Sequence, residues 1–187
     1  MSQSTKTINI LGMDPSMNNW GIAAAKYHKE SSDIQVVHLS TVSPTSVQTG
    51  NKRHMDIASQ LYTRLLPYLN GADCICVEAP TGSKDFNAAV SYAVCCTLIG
   101  ILQTKGIPVF TVSPKDVKRV VGNPEATKKD IVEWVAQRHP EAPIPMYNGK
   151  HNITKANHCC DAVVAIHAAL STPKLNHFIE NHYGNSH

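Results

Sequence analysis

Four residues that could bind divalent cations stand where a fold could bring them together. Asp14 and Glu78 each end a short apolar run, and His158 and Asp161 are three residues apart in a segment rich in alanine and valine. Burying several carboxylates side by side is unfavourable unless positive charge neutralises them, and a pair of divalent cations can do this while clamping a phosphodiester. The four residues therefore predict a metal-dependent site for cleaving phosphodiesters.

The hydrophobic pattern predicts the elements that position these residues. Three strand-like stretches separated by short polar gaps favour an antiparallel meander, and strands alternating with helices follow it. The expected strands are at about 7–13, 20–27, 34–42, 73–78 and 107–112, and the expected helices at about 55–69, 85–104, 114–121, 127–138 and 154–170. Residues 139–153 read as an irregular loop. The pattern predicts an α/β fold with a mixed five-stranded sheet and helices on both faces.

This arrangement can bring the acids together. Asp14 and Glu78 converge if their strands are parallel neighbours, because ligands collect at the carboxyl ends of such strands. His158 and Asp161 share one face of the last helix, and alanines on that face would allow close approach to the sheet. In the alternative arrangement, Asp161 caps a backbone group or faces water, and His158 is a surface residue.

Length and composition are those of an ordinary globular protein. With 187 residues, 42% of them hydrophobic, the chain suits a single domain, expected over 1–172, followed by a polar, flexible tail over 173–187. We expect no membrane span, no secretory leader and no organic cofactor. The expected location is the cytoplasm of a bacterium, and the gene is expected to belong either to that bacterium or to a virus that replicates in it.

The six cysteines occur as close pairs inside apolar segments, namely Cys74 and Cys76, Cys95 and Cys96, and Cys159 and Cys160. We expect buried thiols in a reducing compartment. A zinc site would need two ligands spaced by two to four residues, twice, and this spacing is missing, so the sequence predicts no zinc site.

Basic residues concentrate in one short stretch, although the net charge is only +3. The candidates for contacts with DNA phosphates are Lys115, Lys118, Arg119, Lys128, Lys129 and, at the start of the last helix, Lys155. Such contacts supply affinity without sequence information. The alternative is a solvated helix face that binds nothing.

Taken together, these motifs resemble those of RuvC-type Holliday junction resolvases. In chain order they are Ile10–Ser16 with Gly21 further on, Val77-Glu78, Lys115–Gly122 followed by Lys128, and His158–Ala162. The resemblance spans about residues 8–170. It implies a ribonuclease H-like fold, a homodimer and magnesium-dependent nicking of four-way DNA junctions.

Two positions depart from the family pattern. Many relatives have aspartate where this chain has His158, which bears on the preference between Mg²⁺ and Mn²⁺. Relatives often place an aromatic residue three positions after the second acid to open the junction, whereas Thr81 stands there and Phe86 follows further on. Phe86 either stacks on DNA or covers the start of the long helix.

The constellation predicts hydrolysis assisted by two metal ions about 4 Å apart, leaving a 5′-phosphate and a 3′-hydroxyl. Asp14 would bridge the ions, with Glu78 on the side of the attacking water and Asp161 on the other. His158 would bind metal or act as a general base. Lys128, near a helix N-terminus that favours anions, would brace the scissile phosphate.

The sequence leaves alternatives for the partner of one helix and for the substrate. The helix at 85–104 is apolar on two faces, and its second face could form the dimer interface or be covered by the last helix of the same subunit. The substrate could also be another branched DNA, such as a flap or three-way junction, or an RNA–DNA hybrid, and the chain could bind junctions without cutting them. The sequence does not suit an ATPase of the actin or sugar-kinase type, because that family needs two such domains.

Overall fold

A computed structural model describes residues 7–80 and 85–184. The strands are β1 (Thr7–Asp14), β2 (Trp20–His28), β3 (Asp33–Val42), β4 (Cys74–Glu78), β5 (Val109–Val112), β6 (Met146–Tyr147) and β7 (Lys150–His151). The helices are α1 (Gly50–Leu69), α2 (Phe86–Gln103), α3 (Pro114–Val121), α4 (Lys128–Arg138), α5 (Ile153–Leu170) and α6 (Pro173–Gly184).

Five strands form one sheet in the order β3-β2-β1-β4-β5. The first three are antiparallel neighbours, whereas β1, β4 and β5 run parallel to one another. Each face of the sheet carries its own hydrophobic core, one shared with α1 and α2 and the other with α4, α5 and α6. The predicted mixed sheet with helices on both faces is confirmed.

Strand periodicity decides which face each acid occupies. Ile8 and Ile10 belong to the α5 core, whereas Leu11 and Met13 belong to the α1 and α2 core. Because successive side chains alternate across a sheet, Asp14 falls on the α5 face. The same alternation along β4 places Glu78 on that face as well.

Helix α5 lies unusually close to the centre of the sheet. A Cβ atom added at Gly21 would lie 2.0 Å from the carbonyl oxygen of His158, and one at Gly12 would lie 2.2 Å from that of Ala162. The alanines expected to allow this approach are fully or almost fully buried: Ala162, Ala165 and Ala169. Small residues on both sides therefore let the backbone of α5 rest against β1 and β2.

The structure differs from the sequence prediction in three places. Residues 139–153 are not wholly irregular, because β6 and β7 form a small antiparallel hairpin within them. Residues 173–184, expected to be part of a flexible tail, form α6, which buries Leu175 and Ile179; residues 185–187 lie outside the described part. Five cysteines are buried as expected, but Cys96 is exposed.

Helix α2 leaves much of its apolar surface uncovered. Its 18 residues have a mean hydropathy of 1.6, and only 22% of them are buried. By length and composition alone it could cross a membrane, contrary to our expectation that no segment could. A single such helix is weak support for a membrane span, since core helices of soluble proteins pass the same test. Helix α5 lies on the opposite face of the sheet and therefore does not cover α2.

Candidate metal centre and nucleic-acid interface

Asp14 and His158 meet directly between β1 and α5. Asp14 Oδ2 lies 2.6 Å from His158 Nδ1, and about a fifth of each side chain is exposed. Because an ionised carboxylate can only accept, His158 Nδ1 carries the proton in this contact. In the neutral ring Nε2 then keeps its lone pair, which could bind a metal ion or accept a proton.

Asp161 completes a group able to hold a metal ion. Ligand atoms of Asp14, His158 and Asp161 all lie within 4.8 Å of one another. Glu78 stands outside this group but close by, because Met13 pairs with Val77 in the parallel ladder and the two acids follow them. The sheet and α5 thus bring all four predicted residues to one place.

The electrostatics of the acids show how closely they share this space. Burial, followed by the charge of Asp14, raises the pKa of Glu78 to about 7. Burial, followed by the charges of Asp14 and Glu78, raises the pKa of Asp161 to about 8. Lys128 opposes this rise in the pKa of Asp161, so its ammonium group lies near enough to act on the cluster. Lys128 alone does not balance the negative charge of the three acids.

The donor set fits a divalent cation. Three carboxylates offer hard oxygen ligands, which suit Mg²⁺ and Mn²⁺, and an imidazole is better matched to Mn²⁺ than to Mg²⁺. A bound cation would also remove the repulsion that raises the pKa values of Glu78 and Asp161.

These pKa shifts predict a pH-dependent stability in the absence of metal. The folded protein holds the protons of Glu78 and Asp161 more tightly than the unfolded chain does, so the stability from these groups is full below about pH 4 and is lost as pH rises through 7 to 8. We expect the melting temperature of the chelator-treated protein to fall between pH 6 and pH 8.5. Adding Mn²⁺ should raise it more at pH 8.5 than at pH 6, because no proton must then be displaced.

Scanning calorimetry at the two pH values checks this prediction. Asp161→Asn should reduce the fall in melting temperature between pH 6 and pH 8.5. Glu180→Gln, which removes an exposed acid on α6, should leave that fall unchanged. A metal-induced rise of equal size at both pH values would contradict the assigned protonation.

Three of the predicted DNA-binding residues line one surface cavity. Lys115, Lys118 and Arg119 surround a space of about 580 Å³ together with Gly122 and Pro124. Arg119 is 76% exposed and donates to Asp116 at 2.7 Å, while Asp116 also closes the capping box at the start of α3. Local hydrogen bonds therefore fix α3 while its basic side chains stay accessible.

Lys155 lies beside the candidate metal centre. It lines a cavity of about 430 Å³ together with Asn19, Thr41 and His158. A phosphate group entering this cavity would find the ammonium group of Lys155 beside His158, one of the candidate metal ligands.

Two other predicted residues are not drawn into the site. Lys129 is 69% exposed and pairs with Glu133 at 3.5 Å, as expected of a solvated helix face. Phe86, at the first position of α2, is 77% exposed and covers little of its own helix. Thr81, the position where relatives often carry an aromatic residue, lies outside the described residues.

Gly12 and Gly21 are positioning residues that entered the sequence analysis only as members of a motif, with no role assigned to them. Both permit the contact between α5 and the sheet that carries His158 and Asp161 to the acids. The available signal was a glycine inside each of two predicted strands, since such glycines often mark close approach of another backbone.

No protein-family model matches the chain, and no curated protein matches it in sequence. Several solved structures match the fold. The RuvC of Thermus thermophilus, solved with a Holliday junction substrate, superposes with a TM-score of 0.59 at 18% identity, covering 87% of this chain and 91% of that one. The yeast mitochondrial Holliday junction resolvase Ydc2 gives a TM-score of 0.64 at 15% identity, covering 90% and 80%.

A viral structure extends the likeness. The fowlpox virus resolvase, solved with substrate Holliday junction DNA, has a TM-score of 0.53 at 16% identity, covering 88% of this chain and 95% of that one. A bacterial, a mitochondrial and a viral resolvase are thus similar to this chain in fold. The chain has the ribonuclease H-like fold of the RuvC-type Holliday junction resolvases.

Proposed function

We propose that this protein is a metal-dependent endonuclease that resolves four-way DNA junctions. The observation that carries the proposal is the convergence of Asp14, Glu78, Asp161 and His158 on one face of the sheet, with Lys128 acting on the same cluster. A buried group of acids with raised pKa values is unfavourable for stability, and such groups mark functional sites. The shared fold is consistent with this function but does not establish it.

Two divalent ions, Mg²⁺ or Mn²⁺, would activate the attacking water and steady the leaving 3′-oxygen when bound. Asp14, central among the ligands, would bridge them, with Glu78 and Asp161 on either side. Because His158 Nδ1 donates to Asp14, Nε2 would be the nitrogen that binds metal or acts as a general base. Lys128 would offset charge on the scissile phosphate.

The exposed face of α2 would form a homodimer. Residues at helical spacing leave a stripe of small side chains open to solvent: Ala89, Ala93, Cys96 and Gly100. Small side chains allow two helices to pack closely, and Ile101, which is 39% exposed, adds apolar area beside them. A two-fold dimer would present one metal centre to each of two opposed strands of a junction.

The basic residues of α3 would hold the DNA backbone. We predict that Lys118→Ala weakens binding to every junction sequence alike and lowers the slope of log affinity against log salt by about 1, because a phosphate contact carries no sequence information. Fluorescence anisotropy at several salt concentrations measures both quantities. Lys174→Ala, an exposed lysine on α6, is the matched control and should change neither. A loss restricted to one junction sequence would argue against a phosphate contact.

A panel of labelled substrates tests the proposed function. Four-way and three-way junctions, flaps, linear duplex and RNA–DNA hybrid are incubated with Mg²⁺ or Mn²⁺. Preferred cleavage of the four-way junction supports a resolvase. Preferred cleavage of flaps or hybrid would establish a nuclease of this fold with another substrate, and binding without cleavage would indicate a junction-binding protein.

A further inference from the structure

A second cluster of metal-ligating side chains lies away from the candidate metal centre. Asp33 begins β3, His139 is the C-cap of α4, and His167 is in the last turn of α5. His167 follows His158 by nine positions along α5, which is about 13.5 Å of helix. Ligand atoms of the three residues all lie within 4.8 Å of one another. The nuclease chemistry proposed above uses none of them.

The two histidines face each other at close range inside the protein. His139 Nε2 lies 2.7 Å from His167 Nε2, and the side chain of His139 is 2% exposed. The edge of the Trp134 ring packs against His167, with 5.2 Å between ring centroids. His139 is therefore buried, whereas Asp33, with 28% of its side chain exposed, lies at the edge of the cluster and leaves a path for a cation.

A carboxylate fixes the orientation of one ring. Glu141 Oε1 lies 3.4 Å from His139 Nδ1, and because a carboxylate only accepts, it favours the proton on Nδ1. The lone pair of His139 Nε2 is then directed at His167. A histidine that donates one ring nitrogen to a carboxylate while the other binds metal is the usual arrangement around protein-bound zinc.

We propose that Asp33, His139 and His167 form a second metal site that takes Zn²⁺ or a similar first-row cation, with Glu141 orienting His139. Two imidazoles and one carboxylate suit zinc and leave a fourth position for water. Tetrahedral ligation would separate the two Nε2 atoms by about 3.3 Å, so they must part by about 0.6 Å when the ion enters. The site would join β3, α4 and α5 and hence stabilise the fold.

The other contacts of Asp33 are compatible with this role. Its Oδ1 accepts from the backbone N–H of Ile34, and its Oδ2 accepts from the guanidinium of Arg138. Each carboxylate oxygen has two lone pairs, so one remains on each for a cation. Arg138 brings a positive charge close to the site, which the carboxylates of Asp33 and Glu141 balance.

A direct hydrogen bond between two neutral histidines is the competing explanation of the cluster, and metal titration separates the two. The chelator-treated full-length protein is titrated with Zn²⁺ by calorimetry and with Co²⁺ by visible absorption. We expect a tight site whose Co²⁺ spectrum shows nitrogen and oxygen ligation, and a Zn²⁺-dependent rise in melting temperature. His167→Gln and Asp33→Asn should remove this tight site and the part of the rise in melting temperature that it causes, leaving only binding at the candidate metal centre, whereas Glu141→Gln should weaken the affinity about 10- to 100-fold.

His158→Gln is the matched control, because it removes a histidine of the same helix from the other cluster; it should retain the tight Zn²⁺ site. Asp33→Asn and Glu141→Gln keep the shape of the side chain, so they carry the test if His167→Gln does not fold. Absence of a Zn²⁺-dependent rise in the wild type would overturn the proposal. So would an unchanged affinity in Asp33→Asn, or a Co²⁺ spectrum dominated by thiolate ligation.

Discussion

Asp14→Asn is expected to reduce junction cleavage by at least about a thousandfold while junction binding remains. A metal-bridging carboxylate supports both the attacking and the leaving oxygen, and about 4 kcal/mol of lost transition-state stabilisation corresponds to that factor. Binding should persist or tighten, because the substitution removes a negative charge from the path of a phosphodiester. Single-turnover cleavage with Mg²⁺ and a gel-shift assay on the same junction measure the two effects.

The stability of this variant distinguishes a site residue from a structural one. The charge of Asp14 raises the pKa of both Glu78 and Asp161, so removing it should leave the melting temperature of the metal-free protein unchanged or higher. The amide oxygen of the substituted asparagine could still accept from His158. Glu180→Gln should cleave like the wild type. A large loss of stability in Asp14→Asn, or cleavage at the wild-type rate, would remove Asp14 from the proposed role.

Ala93→Arg is expected to convert the protein to a monomer and to abolish paired cleavage. A charged side chain in the middle of the exposed small-residue stripe of α2 would have to be buried unpaired in a dimer, at a cost of several kcal/mol, or about a thousandfold in the dimer dissociation constant. Analytical ultracentrifugation measures the oligomeric state. On a plasmid with an extruded cruciform, the wild type should give linear product and the variant only nicked circles.

Val47→Arg is the matched control for this experiment. Val47 is 97% exposed and precedes α1, so arginine there adds the same charge without touching α2. Circular dichroism should show both variants folded. A wild type that is monomeric at all concentrations would show that there is no such interface. An Ala93→Arg variant that remains dimeric would place the interface elsewhere on the protein.

The sheet and the acids could be predicted because their signals are local. Short apolar runs define β1 and β4, and Asp14 and Glu78 each stand at the end of one run. The spacing of His158 and Asp161 defines their common helix face. For these elements the strand order and the parallel pairing of β1 with β4 came from the structure, since from the sequence that pairing was only a condition for the two acids to converge.

Features that depend on distant partners could not be predicted. The segment forming α6 is polar, and its helix is stabilised by tertiary contacts, including Phe178 against Phe110 with ring centroids 5.5 Å apart. The cluster of Asp33, His139 and His167 draws on three separate segments with no common spacing. The tight packing of α5 against Gly21 required knowing which helix crosses that strand.

Cleavage of a four-way junction labelled on each strand in turn, followed by treatment with DNA ligase, tests the proposed activity most directly. We predict symmetrical nicks in two opposed strands near the crossover, dependent on Mg²⁺ or Mn²⁺, absent in Asp14→Asn and sealed by ligase because they carry 5′-phosphate and 3′-hydroxyl ends. Absence of cleavage with both Mg²⁺ and Mn²⁺ would contradict the proposed activity. Cleavage that continues after chelation and in Asp14→Asn would show that the acids on β1, β4 and α5 do not catalyse it.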